Sequence, residues 1–253
     1  MLIEKIYGLI NKIELIEKKI GYVFEDKFLL VSSFIHNSFI NLPLKMLYNG
    51  QEVVLQNNQR LEFLGDSILN YLVSIYSYEK YPFFNEESLS YFRSLIVNYL
   101  TLSKILKKLE LDSYLIFNYE SLGSNSIRTK TYADLMEAII GAIYLDSIKN
   151  KNDYTLTYIK KFFYDIILKN FYELIDEIMI EIFDWKGFLQ NIFQKKGMES
   201  LKYITIEKRI NEFVCVAVLD NVEVSIGVGK TKKEAEKQAA LNFFIHKLKN
   251  PKL

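Results

Sequence analysis

Asn58-Gln-Arg-Leu-Glu-Phe-Leu-Gly-Asp-Ser-Ile-Leu-Asn70 is the stretch that decides the fold, because it combines helical hydrophobic spacing with two carboxylates. Its apolar residues wrap most of the way round a predicted helix. The polar residues form one narrow line at spacings of three and four, namely Gln59, Glu62, Asp66 and Asn70. An unpaired carboxylate beside a protein core is costly, so the line predicts that cations lie close to it.

A second apolar helix, predicted over residues 131–147, carries Asp134 and Glu137 on one face at a spacing of three. Each acidic pair alone could be an ordinary solvated helix face, but the flanking residues are too hydrophobic for that alternative. We therefore expect the two helices to pack together with their four acids converging, which requires neutralising cations. These ligands are all oxygen atoms, with no cysteine beside them and no histidine at ligand spacing. Such a set favours magnesium or manganese over zinc.

The strings RLEFLGDSIL, at 60–69, and ADLMEAIIGAIYLD, at 133–146, resemble the signature motifs of the bacterial ribonuclease III family, whose members cut double-stranded RNA. The resemblance implies a compact all-helical nuclease domain that forms a homodimer. It implies that the metal ligands are Glu62, Asp66, Asp134 and Glu137, with Asp66 and Glu137 as the catalytic residues. In the family, the aromatic residue that matches Phe63 inserts into a pocket of the partner subunit, so Phe63 is the expected dimer contact.

The composition indicates a globular protein, with 50% hydrophobic and 25% charged residues among 253. No apolar run is long enough to span a membrane, and the first residues mix Glu and Lys through their apolar positions, unlike a signal or transit peptide. These features predict a cytoplasmic protein. Cys215 excludes an internal disulfide and is expected at a half-buried strand position. For His36 we expect a packing or hydrogen-bonding role.

The formal net charge of +1 conceals an asymmetry along the chain. From residue 185 onward, 13 Lys and Arg face 7 Asp and Glu, which leaves a net charge of +6. Residues 1–184 carry a net charge of −5. An acidic body with a basic tail is expected if metal binding and polyanion binding belong to different domains.

The first part of the chain reads as successive helices, with helical hydrophobic spacing over residues 2–19, 26–35, 60–79, 86–108, 131–147 and 153–182. Residues 42–57 contain Pro43 and the pair Asn49-Gly50, and we interpret them as a loop. A second irregular stretch, residues 118–130, leads into the second acidic helix.

The tail changes to strand-like alternation. An amphipathic helix over 185–196 is followed by strands predicted at 202–207, 212–219 and 222–227, with Asp220-Asn221 as a tight turn. Thr231 and Glu234 then form a capping box at the start of a last helix. This α-β-β-β-α order resembles the double-stranded RNA-binding domain.

Lysines at the start of the last helix indicate how the tail binds RNA. Lys230, Lys232 and Lys233 share this helix N-terminus with unpaired backbone N–H groups, a combination that suits phosphates. The alternative is a solvated lysine face. On the first tail helix, Gln190 matches the family's reader of the minor groove, and Asn191 replaces the usual Glu. The first hairpin, at 207–212, lacks the family's Gly-Pro-x-His loop, so the isolated tail is expected to bind weakly.

The sequence thus predicts a multidomain chain, with a helical ribonuclease III domain over 1–180 and a small α+β double-stranded RNA-binding domain over 184–250. The resemblance implies a magnesium- or manganese-dependent homodimeric endoribonuclease with no other cofactor. It would leave 5′-phosphate and 3′-hydroxyl ends by staggered cuts and would process rRNA and mRNA precursors. One alternative is a non-catalytic RNA-binding or ribosome-associated protein that keeps the fold. Another, a metal phosphohydrolase acting on small nucleotides, leaves the basic tail unexplained.

Overall fold

The computed structural model describes residues 2–39, 43–82, 84–118, 125–151, 155–175, 177–178, 186 and 201–249. These residues divide into two compact units, the first from residues 1–79 and 89–174 and the second from residues 80–88 and 175–253. The described part of the first unit is mainly helical. The described part of the second contains a three-stranded sheet and a long helix.

Helices dominate the first unit, as the hydrophobic spacing predicts. They are α1 (Leu2–Ile10), α2 (Ile13–Ile20), α3 (Lys27–Ser33), α4 (Gln59–Lys80), α5 (Glu86–Ile96), α6 (Tyr99–Lys108), α7 (Asn125–Lys151), α8 (Thr155–Phe162) and α9 (Lys169–Glu173). A 3₁₀ turn, Asp112–Tyr114, follows α6, and a π-helical segment, Phe163–Leu168, joins α8 to α9. Helix α7 begins earlier and ends later than the predicted bounds of 131–147.

A side-chain cap and a turn divide two segments that we predicted as single helices. The Asn98 side chain accepts a hydrogen bond from the backbone N–H of Leu100 at 2.9 Å and so starts α6 separately from α5. Residues 11 and 12 form the turn between α1 and α2. Gly21 ends α2 in the left-handed conformation, at φ 73°, where its N–H bonds to the carbonyl of Glu17.

The interpretation of residues 42–57 as a loop is wrong. Strands β1 (Leu44–Tyr48) and β2 (Gln51–Leu55) form an antiparallel hairpin there. Asn49 and Gly50 have φ of 50° and 79°, the positive values that a two-residue turn requires. Pro43 precedes the first strand, where it interrupts no pairing.

The core of the first unit surrounds α7. Leu135, Met136, Ile139 and Ile143 are fully inaccessible to solvent, together with Ala138 and Ala142. At the far end of this helix the buried Asp146 accepts hydrogen bonds from the Tyr22 hydroxyl at 2.8 Å and the Asp26 N–H at 2.8 Å. Since a buried carboxylate must be satisfied by donors, these bonds anchor the segment before α3 to α7.

The second unit, which we call the tail unit, matches the predicted strand order. Strands β3 (Lys202–Arg209), β4 (Glu212–Leu219) and β5 (Val222–Gly229) form one antiparallel sheet in sequence order, followed by α10 (Lys232–Lys249). Asp220 and Asn221 form the predicted turn, with φ of 50° and 63°. Cys215 is fully buried beneath the helix rather than half-buried. The predicted helix at 185–196 lies outside the described residues except for Lys186.

Candidate metal centre and RNA-binding surface

Three of the four predicted acids meet where α4 and α7 approach each other. Glu62 on α4 and Asp134 and Glu137 on α7 each direct one carboxylate oxygen to a common point, and these oxygens lie within 4.8 Å of one another. All three side chains are partly buried. Two oxygens from one helix and one from the other form a cluster that a hard divalent cation can bridge.

Two glycines allow this close approach of the helices. A Cβ atom at Gly65 of α4 would overlap the carbonyl of Glu137, and one at Gly141 of α7 would overlap the carbonyl of Leu61. Each glycine therefore faces the backbone of the opposite helix with no room for a side chain. Glu62 and Glu137 lie next to this crossing, which is why acids from two helices come within reach of one ion.

The environment of the cluster raises the pKa of each of its three acids. Burial, followed by the charges of Asp66, Asp134 and Glu62, raises the pKa of Glu137 to about 8. Burial and the charge of Glu62 raise the pKa of Asp134 to about 6. Burial also raises the pKa of Glu62. The cluster would keep its full negative charge at neutral pH only with additional positive charge beside it.

Among the described residues, Lys130 is the cation whose charge acts on all three acids, and sequence reasoning missed it. Its charge lowers the pKa of Glu62, Asp134 and Glu137, but burial outweighs that effect at each of them. The signal was present, because Lys130 precedes Asp134 by four residues on the same helix and so shares its face. One lysine is less positive charge than the acids of the two helices led us to expect.

Asp66 is the predicted acid that the structure leaves outside the group of three. It lies one turn beyond Glu62 on α4, its side chain is exposed, and its Oδ1 accepts a hydrogen bond from Asn70 Nδ2 at 2.8 Å. Its charge nevertheless raises the pKa of Glu62 and Glu137, so it lies within electrostatic range of the cluster. The donor set is carboxylate oxygen throughout, which suits magnesium or manganese.

Phe63 and His36 are not members of this cluster. Phe63 follows Glu62 on α4 and is 77% exposed, which is unusual for a large aromatic side chain. His36 Nδ1 accepts a hydrogen bond from the Ser38 N–H at 3.1 Å, in keeping with the expected hydrogen-bonding role. Burial lowers the pKa of His36, which favours the neutral ring.

The predicted RNA-binding lysines, Lys230, Lys232 and Lys233, are exposed at the start of α10. Thr231 Oγ1 accepts a hydrogen bond from the Glu234 N–H at 3.2 Å, which is the predicted cap. Glu234 Oε2 accepts from the Lys230 N–H at 2.8 Å, so the reciprocal bond reaches one residue farther back than in the usual capping box. Gln190 and Asn191 lie outside the described residues.

Comparison with known proteins gives two family matches. Residues 59–147 match the ribonuclease III domain, and residues 185–246 match the double-stranded RNA binding motif. The chain is 37% identical to Ribonuclease 3 of Protochlamydia amoebophila over 231 residues, which cover 89% of this chain and 88% of that protein. It is 33% identical to Ribonuclease 3 of Geobacillus kaustophilus over 235 residues, covering 90% and 88% respectively.

Solved structures of one nuclease domain are also similar to this chain. A crystal structure of the nuclease domain of ribonuclease III from Campylobacter jejuni is 30% identical, covers 62% of this chain and 95% of that one, and has a TM-score of 0.51. A second structure of that domain, in which a region involved in dimer formation is flexible, has a TM-score of 0.50. Among the described residues of our chain, no helix is both long and apolar enough to cross a membrane.

Proposed function

Since the chain belongs to the ribonuclease III family and is an endoribonuclease specific for double-stranded RNA, we propose that it cuts with divalent metal ions held by carboxylates. The proposed ligands are Glu62, Asp66, Asp134 and Glu137, with magnesium as the ion and manganese as its substitute. The observation that carries this proposal is the convergence of three carboxylate oxygens within 4.8 Å at a crossing of two helices.

The raised carboxyl pKa values support metal binding. Burial and mutual repulsion raise the pKa of Glu137 to about 8 and that of Asp134 to about 6, so both carboxyl groups would ionise more readily with a cation beside them. Glu137 and Asp134 would release their protons on holding a divalent cation, which would also relieve their mutual repulsion. When bound, such an ion supplies a water of lowered pKa and stabilises charge that develops on the phosphate.

The chain's own residues then have distinct proposed roles in hydrolysis. Glu137 and Asp66 are the proposed catalytic residues, Glu137 inside the cluster and Asp66 at its exposed margin. The exposure of Asp66 suits a carboxylate that meets the RNA side of the site. The resulting products would carry 5′-phosphate and 3′-hydroxyl ends.

RNA capture is proposed for the tail. The proposed domain bounds are 1–180 for the nuclease domain and 184–250 for the RNA-binding domain. Lys230, Lys232 and Lys233 would contact phosphates, and Gln190 and Asn191 would contact 2′-hydroxyls in the minor groove. The exposed lysines beside a capped helix N-terminus support this assignment.

We further propose that the chain forms a homodimer through Phe63, with two sites that make staggered cuts, and that it processes rRNA and mRNA precursors in the cytoplasm. Phe63 is 77% exposed, and leaving a large aromatic side chain in water is unfavourable. This exposure supports the proposal that a partner subunit covers Phe63. The non-catalytic alternative has little support, because all four acids are present.

The deciding experiment is incubation of the full chain with a long RNA duplex. We expect cleavage in magnesium and none in excess chelator or with single-stranded RNA of the same sequence. End analysis should find 5′-phosphate and 3′-hydroxyl groups. Calcium, which is larger and coordinates more loosely, should support binding without turnover. Cleavage that proceeds unchanged in chelator would refute the metal-dependent mechanism.

A further inference from the structure

The sheet of the tail unit has one covered face and one apolar exposed face. Helix α10 covers the first face, where Cys215 and Ala217 of β4 are fully buried and the Ser225 hydroxyl donates to the carbonyl of Ala239 at 2.6 Å. Gly227 of β5 lies so close to the backbone of α10 that a Cβ there would overlap Ala239. The helix and the inner face therefore form a complete small core.

The outer face is the unexpected one, because antiparallel sheets covered on one side normally present polar residues to water on the other. Here seven apolar side chains alternate with the buried ones. Four of them, on the two edge strands, are between 53% and 57% exposed, namely Ile204, Ile206, Ile226 and Val228. Contiguous exposed apolar surface of this kind marks interaction sites in soluble proteins.

Strand register places these residues in three rows across the sheet. Read from β3 through β4 to β5, the rows are Ile206–Val214–Val228, Ile204–Val216–Ile226 and Lys202–Val218–Glu223. The first two rows are apolar throughout. The third carries a lysine at one edge of the sheet, a valine in the middle and a glutamate at the other edge. The third row lies at a register shift between Ala217 and Val218, where Val224 is an extra residue of β5 that brings Glu223 opposite Val218.

This charge order is self-complementary. A two-fold axis parallel to β4 turns a second sheet over, so that its β5 lies opposite β3 of the first, with each row facing the same row. Lys202 of one copy then faces Glu223 of the other, twice, because the operation is symmetric. In the same arrangement Ile204 faces Ile226, Ile206 faces Val228, and the three valines of β4 lie along the axis.

We propose that a second copy of this chain docks on the outer face of the β3–β4–β5 sheet, sheet against sheet, about a two-fold axis along β4. Aligned sheets stack about 10 Å apart with interdigitating side chains, and the branched apolar rows suit that packing. Neither Lys202 nor Glu223 has an ion pair with another described residue, and in this arrangement each would gain one with the second copy.

The chemistry of the face favours a protein copy over RNA. Its central rows contain no cation or hydrogen-bonding side chain, whereas RNA phosphates require such groups. Helix α10, which carries Lys232 and Lys233 at its start, lies on the opposite face of the sheet. The tail can therefore bind duplex RNA and a second tail together. Three short strands make a small interface, so the association should be weak and dependent on concentration.

Cross-linking of the full chain tests the arrangement directly. Val216 lies on the proposed axis, so the V216C variant brings two thiols across stacked sheets and a bismaleimide spanning about 10 Å can join them. The I210C variant is the matched control, because Ile210 is 91% exposed at the β3–β4 turn but belongs to none of the three rows. The native Cys215 is buried and its pKa is raised by burial, so background labelling should be small.

We expect V216C to yield covalent dimers at roughly 100 μM protein, in the concentration range of weak association, and I210C to yield at least about fivefold fewer. A dimer formed elsewhere in the chain would raise the local concentration of both cysteines, so the ratio of the two yields is the quantity that reports the tail contact. Equal yields from V216C and I210C would overturn the proposal.

Charge reversal tests the two-fold register. In the V216C background, K202E creates two like-charge contacts and should lower the yield about tenfold, since two favourable pairs become two repulsive ones. Adding E223K restores opposite charges with their positions exchanged and should recover most of the yield. A yield unaffected by K202E, or not recovered in the double exchange, would reject the arrangement.

Discussion

At the scale of single residues, burial raises the pKa of the acids in the candidate metal centre by more than the charge of Lys130 lowers it. Glu137 is the most perturbed of its acids, with a pKa raised to about 8 by burial and by three neighbouring carboxylates. Asp66, four residues beyond Glu62, remains exposed and hydrogen-bonded to Asn70. The carboxyl group of Glu137 is thus partly buried and has a raised pKa, whereas that of Asp66 is exposed to solvent. Glu137 suits the proposed role inside the metal cluster, and Asp66 suits the proposed role at its margin.

The first residue-scale prediction concerns Glu137→Gln. The amide keeps the size and polarity of the side chain but removes the charge that holds the metal, so cleavage should fall by at least about 100-fold. Binding of duplex RNA, measured in calcium, should stay within about twofold of the parent. Glu173→Gln is the control, because Glu173 lies on α9 and pairs with Lys108 on the surface. Near-normal cleavage by Glu137→Gln would remove it from the metal site.

The second residue-scale prediction concerns pH. A raised carboxyl pKa means that the folded, metal-free chain holds protons that the unfolded chain releases above the ordinary value of 4.5. The contribution to stability is therefore complete below pH 4.5 and is lost as pH rises through about 8. Thermal melts in chelator should give a Tm that falls across this range. Magnesium should raise the Tm most at the alkaline end, since metal binding releases protons.

The Glu137→Gln variant is the control for this pH effect, because it lacks the titrating group with the largest shift. Its Tm in chelator should depend less on pH than that of the parent chain. An identical pH dependence in both proteins would assign the effect to other groups.

At the scale of elements, the crossing of α4 and α7 decides where the acids lie. Gly65 and Gly141 each face the backbone of the other helix without space for a Cβ. Each of the two signature motifs therefore contains acids that can bind a metal and a glycine that lets the helices approach.

Gly65→Ala and Gly141→Ala should each separate the helices. Overpacking of a close contact typically costs about 1–3 kcal/mol, and more where backbone atoms block the added carbon. We expect a lower Tm and a loss of cleavage that exceeds the loss of RNA binding. Gly8→Ala is the matched control, because a Cβ there meets nothing within 4 Å and α1 should gain up to about 1 kcal/mol from the better helix former. Tolerance of alanine at both crossing glycines would contradict the geometry.

The start of α10 carries the second element-scale prediction. Lys232→Ala combined with Lys233→Ala should weaken duplex binding and reduce the slope of log affinity against log salt by close to two units. Cleavage should persist at low salt, where the nuclease domain can still capture RNA. Lys160→Ala with Lys161→Ala removes two exposed lysines of α8 and serves as the control. An unchanged salt slope in the α10 variant would show that these lysines do not contact RNA.

At the scale of the whole molecule, assembly is the property to test. Phe63 exposes most of its ring although it neighbours the cluster residue Glu62, about 100° away round the helix. A dimer contact at this position would place the partner subunit beside the metal centre.

Phe63→Ala should give monomers at about 1 μM, because a buried aromatic anchor commonly contributes about 2 kcal/mol or more at an interface. Duplex cleavage should also fall, since neither subunit alone would form the complete RNA-binding surface. The weak tail contact proposed above would allow association to return only at much higher concentration. Sedimentation velocity measures both states. Val23→Ala, at another exposed apolar residue, is the control and should leave the dimer intact. A stable dimer of Phe63→Ala would exclude Phe63 as the anchor.

Local chemistry in the amino-acid sequence determined much of this protein. Helical periodicity identified α4 and α7, and alternation identified β3, β4 and β5 within two residues of their bounds. The Asn49-Gly50 pair was also visible in the sequence, but we took it together with Pro43 as the sign of a loop, whereas it is the turn of a hairpin. These features depend on neighbours in the chain, which is why sequence alone can reveal them.

Only the tertiary structure decided which acids meet and which surfaces remain exposed. Spacing placed four acids on two helix faces, but the approach of α4 and α7 at Gly65 and Gly141 brought three of them within 4.8 Å and left Asp66 outside that group. The effect of Lys130 on Glu62, which lies on the other helix, and the charge order across the tail sheet emerged in the same way. Such properties depend on distances between residues far apart in the chain. Those distances are set by packing and strand register, which local periodicity does not encode.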